Sequence, residues 1–255
     1  MTETTNAYAT AVTETLNRHA SIRAFNGDPV PEEMVLAILN AARRSPTSSN
    51  MQTYSIIVVR DQQTRRELAV LAGNQSHIEQ CDVFVGFLAD THRLGMAAEM
   101  HGRELARSLE TTLVATVDAA LVGMSVQTAA ESFGLGAVMI GGMRNYPQKV
   151  ADLLGFPPGV FMVYGMSIGW PAYGARPEPL KPRLPQELVI HKEQYSAADP
   201  RPLISRYDDE LAAYYGRQRR NLHSAAWSGP IADRLQRPPR PHLRGELEEL
   251  GFHFD

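Results

Sequence analysis

One cysteine, Cys81, is all that 255 residues carry, and that scarcity excludes an internal disulfide and any multi-cysteine metal site. It favours a reducing, cytoplasmic setting. A large charge of one sign is missing too. Twenty-five Lys and Arg stand against 28 Asp and Glu, leaving a net charge of −3, so no global basic field recruits nucleic acid. The first twenty residues begin Thr2, Glu3, Thr4, Thr5, Asn6 and hold no apolar core, so no secretory leader is expected. No clean membrane-length run exists either. The nearest stretch, residues 113 to 130, is broken by Thr116, Asp118, Ser125, Gln127 and Thr128. A charge at mid-bilayer costs at least ~2.5 kcal/mol, so a buried helix is expected and no membrane partner. A helix apolar on most sides is either the core helix or a seam between two subunits.

The common catalytic signatures are also lacking. No His-Glu-x-x-His and no Walker loop occurs, and the eight histidines are scattered. Gly134-Leu135-Gly136 follows a predicted helix and precedes a predicted strand. That is the reverse of the dinucleotide fingerprint and reads as a helix C-cap. Lone histidines such as His77 and His101 are expected to be surface groups or satisfied core groups. What remains is a chain with few acid–base groups and several anion contacts. That profile suits a bound cofactor that carries the reaction while the protein positions it; no catalytic side chain and no metal ligand is expected.

What is present alternates between helical and extended periodicity, which indicates layered α/β or α+β architecture. Helices are predicted over 8–18, 31–44, 61–71, 109–133, 147–154 and 203–215, with a mobile helical excursion over 94–108. Strands are predicted over 54–59, 83–88, 137–140 and 161–168, and 54–59 is expected to be buried. Residues 173–185 carry Pro177, Pro179, Pro182 and Pro185 and read as an extended connection. Within it, Lys181-Pro182-Arg183 sets two cations on alternate positions of a stiff segment. Both can then face one spot, a geometry suited to phosphate. A second candidate phosphate segment is His19-Ala20-Ser21-Ile22-Arg23.

These two segments resemble parts of the flavin-dependent nitroreductase superfamily, in its oxygen-insensitive NADPH nitroreductase and NADPH–flavin oxidoreductase branch. Four more pieces match in order: 45–52 (Ser-Pro-Thr-Ser-Ser-Asn-Met-Gln), 73–78 (Gly-Asn-Gln-Ser-His-Ile), 140–145 (Ile-Gly-Gly-Met-Arg-Asn) and 165–171 (Gly-Met-Ser-Ile-Gly-Trp-Pro). Any one piece is weak; six in order are specific. The resemblance implies an α+β nitroreductase fold, a central mixed and mainly antiparallel sheet flanked by helices. It also implies a homodimer with the long helix at its interface, a core over 1–200, and a C-terminal helix and arm over 201–255 packing on the partner subunit. The implied activity is hydride transfer from NADPH through non-covalent FMN to small-molecule acceptors, nitroaromatics or quinones, in a ping-pong cycle. A flavin reductase feeding a monooxygenase, or a non-catalytic flavin-binding protein, is the alternative.

Carried over by position, His19, Ser21, Lys181 and Arg183 are expected to hold the FMN phosphate and ribityl end. Arg23 is expected near the N1–O2 side of the ring, where a guanidinium stabilises developing negative charge. Thr47, Ser48 and Ser49 are expected to offer hydroxyl or amide contacts, and Gln75 to reach the pyrimidine edge. Ile140, Gly141 and Gly142 are expected to bring backbone close to the ring, glycine having no side chain to hold it off. Arg217, Arg219 and Arg220 are the candidates for the NADPH 2′-phosphate. One departure is visible: the branch has Arg where this chain has Ala20, and Arg18 is the nearest substitute.

Overall fold

A computed structural model describes residues 8–218 and 226–255, which divide into two compact units. The larger holds 8–176 and 242–255, the smaller 177–241. In chain order the larger unit contains α1 (Ala11–Asn17), α2 (Glu32–Ala42), β1 (Tyr54–Val59), α3 (Gln62–Leu71), α4 (Ser76–Gln80), β2 (Val83–Asp90) and α5 (His92–Glu99). It continues with α6 (Leu109–Ser132), β3 (Gly136–Ile140), α7 (Pro147–Leu154) and β4 (Val160–Gly169). After α8 (Arg201–Arg217) and α9 (Ser228–Leu235) in the smaller unit, α10 (Leu243–Glu249) belongs again to the larger.

The four strands form one antiparallel sheet in the order β1-β2-β4-β3. Val-Phe-Val-Gly-Phe-Leu-Ala-Asp and Val-Phe-Met-Val-Tyr-Gly-Met-Ser-Ile-Gly are almost continuously apolar, so β2 and β4 can be covered on both faces. Both are buried along their whole length and take the centre. β1 was expected to be buried; instead it is an edge strand, buried only at Tyr54 and Val59. Pairing on one side only leaves its middle half-covered. The other edge, β3, takes a single parallel bridge from Ser21 to Ala137, with Ile22 N–H donating to Ala137 O at 3.0 Å. That bridge is the mixed element of the sheet.

Helices cover both faces. On one, α2 and α6 pack through Val35, Ile38, Ala115, Ala119, Val122 and Val126 onto Val85, Phe87, Val163 and Tyr164. On the other, α3 and α7 bury Leu68, Ala72 and Val150 against Phe84 and Met162. Burying one such phenylalanine contributes about 1.5–3 kcal/mol. α6 is long and apolar enough by composition to cross a bilayer, but its inner face carries Asp118 and Gln127, both buried in the protein. A cap of Ser108 and Thr111 starts it, and Gly134 at φ 86° ends it as expected. Gly123 lets α6 approach the sheet: a Cβ there would lie 1.9 Å from the Tyr164 hydroxyl oxygen.

Two expectations change. The predicted excursion over 94–108 is helical only over α5, which begins two residues earlier at His92. The final residues do not extend away as part of an arm. Leu247, Leu250 and Phe252 enter their own chain's core, and Phe252 meets Phe161 edge-on with ring centroids 4.8 Å apart. Three large apolar side chains in a short terminal segment find cover there that solvent cannot supply.

Candidate functional site

Two structures hold the expected contacts of the larger unit. The first is a cluster around His77. Gln75 precedes α4 and its amide N–H donates to Ala72 O at 2.8 Å, so its oxygen is left to accept from His77 Nε2 at 3.1 Å. His77 Nδ1 then accepts from the Ser167 hydroxyl at 3.3 Å. The ring is buried, and burial, with the field of Arg23 adding to it, lowers its pKa below the ordinary histidine value. His77 is thus a neutral, satisfied interior group, as expected of a lone histidine, and it fixes which way the Gln75 amide faces.

Gly142 lies against the same amide. A Cβ on it would stand 2.7 Å from Gln75 Nε2 and 2.6 Å from Ala72 O, so any side chain would displace Gln75. The turn 141–145 continues directly from β3. Arg23 is exposed, two residues beyond the Ser21 bridge, and makes a long contact to Ser21 O at 3.5 Å. The fold therefore brings Gln75, Ile140, Gly141 and Gly142 together where β3 ends, while Arg23 follows the Ser21 bridge beside the start of β3 and acts on His77 through its charge.

The second structure is the loop before β1, held by α6. Thr47 is half-buried, Ser48 and Ser49 are exposed, and Ser49, Asn50 and Gln52 have φ of 48°, 56° and 52°. Left-handed backbone is unfavourable for residues with a Cβ. Asp118 on α6 secures the loop: one oxygen accepts from Ser48 N–H at 3.1 Å, the other from Thr53 N–H at 3.1 Å and Thr53 Oγ1 at 2.7 Å. Arg93, from α5, donates to Gln52 O at 3.1 Å, to Ser55 Oγ at 2.9 Å and to Tyr54 O, and pairs with Asp90 at 3.3 Å. His19 is tied to the same helix, donating from Nδ1 to Glu131 at 2.6 Å with Gln127 Nε2 2.9 Å from that nitrogen. Arg18, the expected substitute for the cation missing at Ala20, donates to Glu14 O at 3.3 Å.

In the smaller unit the strap shows the expected alternation. Lys181 and Arg183 are exposed, while Pro182 and Leu184 are half-buried; Leu184 packs with Tyr207, Leu211 and Tyr214 of α8. Tyr207 donates to Pro182 O at 3.1 Å, and Lys181 donates to the Tyr215 hydroxyl at 2.8 Å with its ammonium 4.9 Å from the ring centroid. Burial raises the Tyr207 pKa, against an opposing field from Arg183. Arg217 is exposed at the end of α8; Arg219 and Arg220 lie outside the described residues. No group of three metal-ligating side chains occurs among the described residues.

Asp118, Arg93, Tyr207 and Tyr215 were not singled out as site residues from sequence. Asp118 carried a signal, since a carboxylate inside an apolar helix needs partners. The other three carried none.

Family models give this arrangement its context. The Nitroreductase family matches residues 16–170, and the Nitroreductase family C-terminal domain matches 181–255. This chain belongs to the nitroreductase family. Among curated relatives, this nitroreductase is 40% identical to "Oxygen-insensitive NADPH nitroreductase" of Salmonella typhimurium, over 94% of this chain and 97% of that protein. It is 38% identical to "FMN reductase [NAD(P)H]" of Bacillus subtilis, over 96% and 98%. The solved structure of B. megaterium NfrA2 superposes with a TM-score of 0.92 at 36% identity, covering 97% of this chain and all of that one.

Proposed function

We infer that this nitroreductase is an NADPH-dependent FMN oxidoreductase that reduces small electrophiles such as nitroaromatics and quinones in a ping-pong cycle. Bound FMN supplies the chemistry, accepting hydride from the nicotinamide and passing electrons to the acceptor. The observation that carries this reading is an oriented Gln75 amide set against side-chain-free Gly142 where β3 ends, with the charge of Arg23 felt at His77 behind it. A cation and a fixed amide beside close backbone suit a flat, polar-edged ring, and the donor set contains nothing suited to a metal. The names of the Salmonella and Bacillus relatives support the same nicotinamide and flavin.

In this reading Arg23 would steady negative charge at the ring's N1–O2 edge and Gln75 would meet its pyrimidine edge. Ile140, Gly141 and Gly142 would let backbone approach the ring. Thr47, Ser48 and Ser49 would contact the ring and ribityl chain. His19, Ser21, Lys181 and Arg183 would bind the ribityl-phosphate end, and Arg217, Arg219 and Arg220 the 2′-phosphate of NADPH. The chain would act as a homodimer in the cytoplasm. Leu113, Val117, Leu121 and Met124 form an exposed apolar stripe along α6, which an equivalent stripe would cover, and the C-terminal helix and arm expected over 201–255 would pack on the partner.

Purified protein is expected to be yellow, to lose its oxidised-flavin absorbance with NADPH under anaerobic conditions, and to regain it with nitrofurazone or a quinone. Protein that is colourless and takes up no added FMN overturns the reading. The Bacillus relative's name also favours a second reading, turnover of free FMN as substrate. Saturable use of free FMN with poor turnover of nitrofurazone would select it.

A further inference from the structure

We propose that Asp118 is a positioning residue for the cofactor: its carboxylate sets the shape of the 47–53 loop before any flavin binds. The inference rests on the flavin reading above. Four observations carry it. Asp118 is 1% exposed, on the inner side of α6. Its two oxygens take the two ends of one short segment, Ser48 N–H on one and the Thr53 amide and hydroxyl on the other. Between those ends lie Ser49, Asn50 and Gln52, all left-handed and none glycine. On the far side Arg93 grips the carbonyls of Gln52 and Tyr54.

A segment with three such residues relaxes towards ordinary backbone unless its surroundings over-determine it. One buried carboxylate that closes both ends, with a guanidinium on the outer carbonyls, is such a determinant. Exposed Ser48 and Ser49 are thereby presented in one conformation, and the ligand need not order them on binding. The two-oxygen requirement distinguishes this role from a simple cap. Asparagine keeps one acceptor but turns an NH2 towards donors that need the other, so it can serve one end of the loop and not both.

The test uses the full chain, wild type and Asp118→Asn, with Thr53→Val as a milder variant that removes only the hydroxyl bond. The first readout needs no cofactor. Hydrogen exchange of the 45–54 peptide in FMN-stripped protein should show slow amides in wild type and at least about tenfold faster exchange in Asp118→Asn. The second readout is flavin fluorescence quenching and visible circular dichroism. Asp118→Asn should raise the Kd for FMN about tenfold, one decade per ~1.4 kcal/mol, and should change the circular dichroism of whatever flavin binds. Arg183→Ala should raise Kd with that spectrum unchanged, because a phosphate contact does not shape the ring's surroundings. Thr53→Val should move both readouts in the direction of Asp118→Asn by about threefold, and keeps the proposal testable if Asp118→Asn fails to fold. Unchanged exchange in Asp118→Asn, or in Thr53→Val if that alone folds, overturns the proposal, as does unchanged Kd and spectrum in either. Wild type that shows the protected loop but binds no FMN overturns the flavin reading instead.

Discussion

The 47–53 loop and the 181–185 strap are both short, irregular and rich in groups that can hold an anion or a polar ring, yet they are anchored by opposite means. The loop hangs from the interior: a carboxylate 1% exposed accepts three hydrogen bonds from it, and Thr53 beneath it is 2% exposed. The strap is held less deeply: the Tyr207 hydroxyl donates to half-buried Pro182 O, and exposed Lys181 meets Tyr215 at the surface. Buried, charge-assisted bonds cannot be given up without leaving donors unsatisfied, whereas exposed ones are replaced by water. Geometry is therefore built into the loop. The strap carries charge whose position can adjust.

The largest break in this contrast should come from Asp118→Ala. It leaves Ser48 N–H, Thr53 N–H and Thr53 Oγ1 without their acceptor, at a cost of roughly 3 kcal/mol. By the usual scaling this lowers Tm by roughly 6–12 °C, measured by calorimetry; a fall under about 2 °C would mean that the loop is not held from inside. Next, Lys181→Ala and Arg183→Ala should each weaken FMN binding by ~1.5–3 kcal/mol while leaving stability within ~0.5 kcal/mol. Equal losses of stability and affinity would erase the distinction between strap and loop.

A third effect is in pH. His77 sits behind Gln75 with its folded pKa held below the unfolded value by burial and by Arg23. As pH falls, the unfolded chain takes up this proton first, so the contribution is fully present above about 6.5 and is lost as pH drops below it, towards the depressed folded value. The slope is at most ~1.4 kcal/mol per pH unit. Thermal unfolding between pH 8 and 5 should show wild type losing stability faster than His77→Gln, and parallel curves would refute the buried neutral imidazole. The smallest effect belongs to Tyr215→Phe, which removes one exposed hydrogen bond from Lys181 and should change FMN affinity by about 0.5–1 kcal/mol. A larger change, read by titration, would show that the strap is more rigid than its exposure suggests.

Much of the fold was legible because it depends on periodicity and local chemistry. β1 and α7 fall on their expected bounds, and α6 ends within one residue of expectation. The Lys181–Leu184 alternation appears as exposed and half-buried positions in turn. Strand order was not legible, which is why β1 was mistaken for an interior strand: Tyr-Ser-Ile-Ile-Val-Val reads the same at an edge as at the centre. Of the candidate site, the expected flavin contacts were named through ordered motifs. Their supports were not, because Asp118, Arg93 and Ser167 reach Ser48, Gln52 and His77 across 70, 41 and 90 positions of chain.

By itself, then, the sequence determined the elements, the membership of the flavin-handling family and the exposed donors, since these follow from spacing, composition and matched motifs over nearly the whole chain. Only the tertiary structure decided three things. The last residues return to cover their own core, β1 lies at an edge, and a carboxylate in the middle of an apolar helix became the anchor of a strained loop. Each is a contact between distant segments, and the burial that makes such contacts strong exists only once the chain has closed around them.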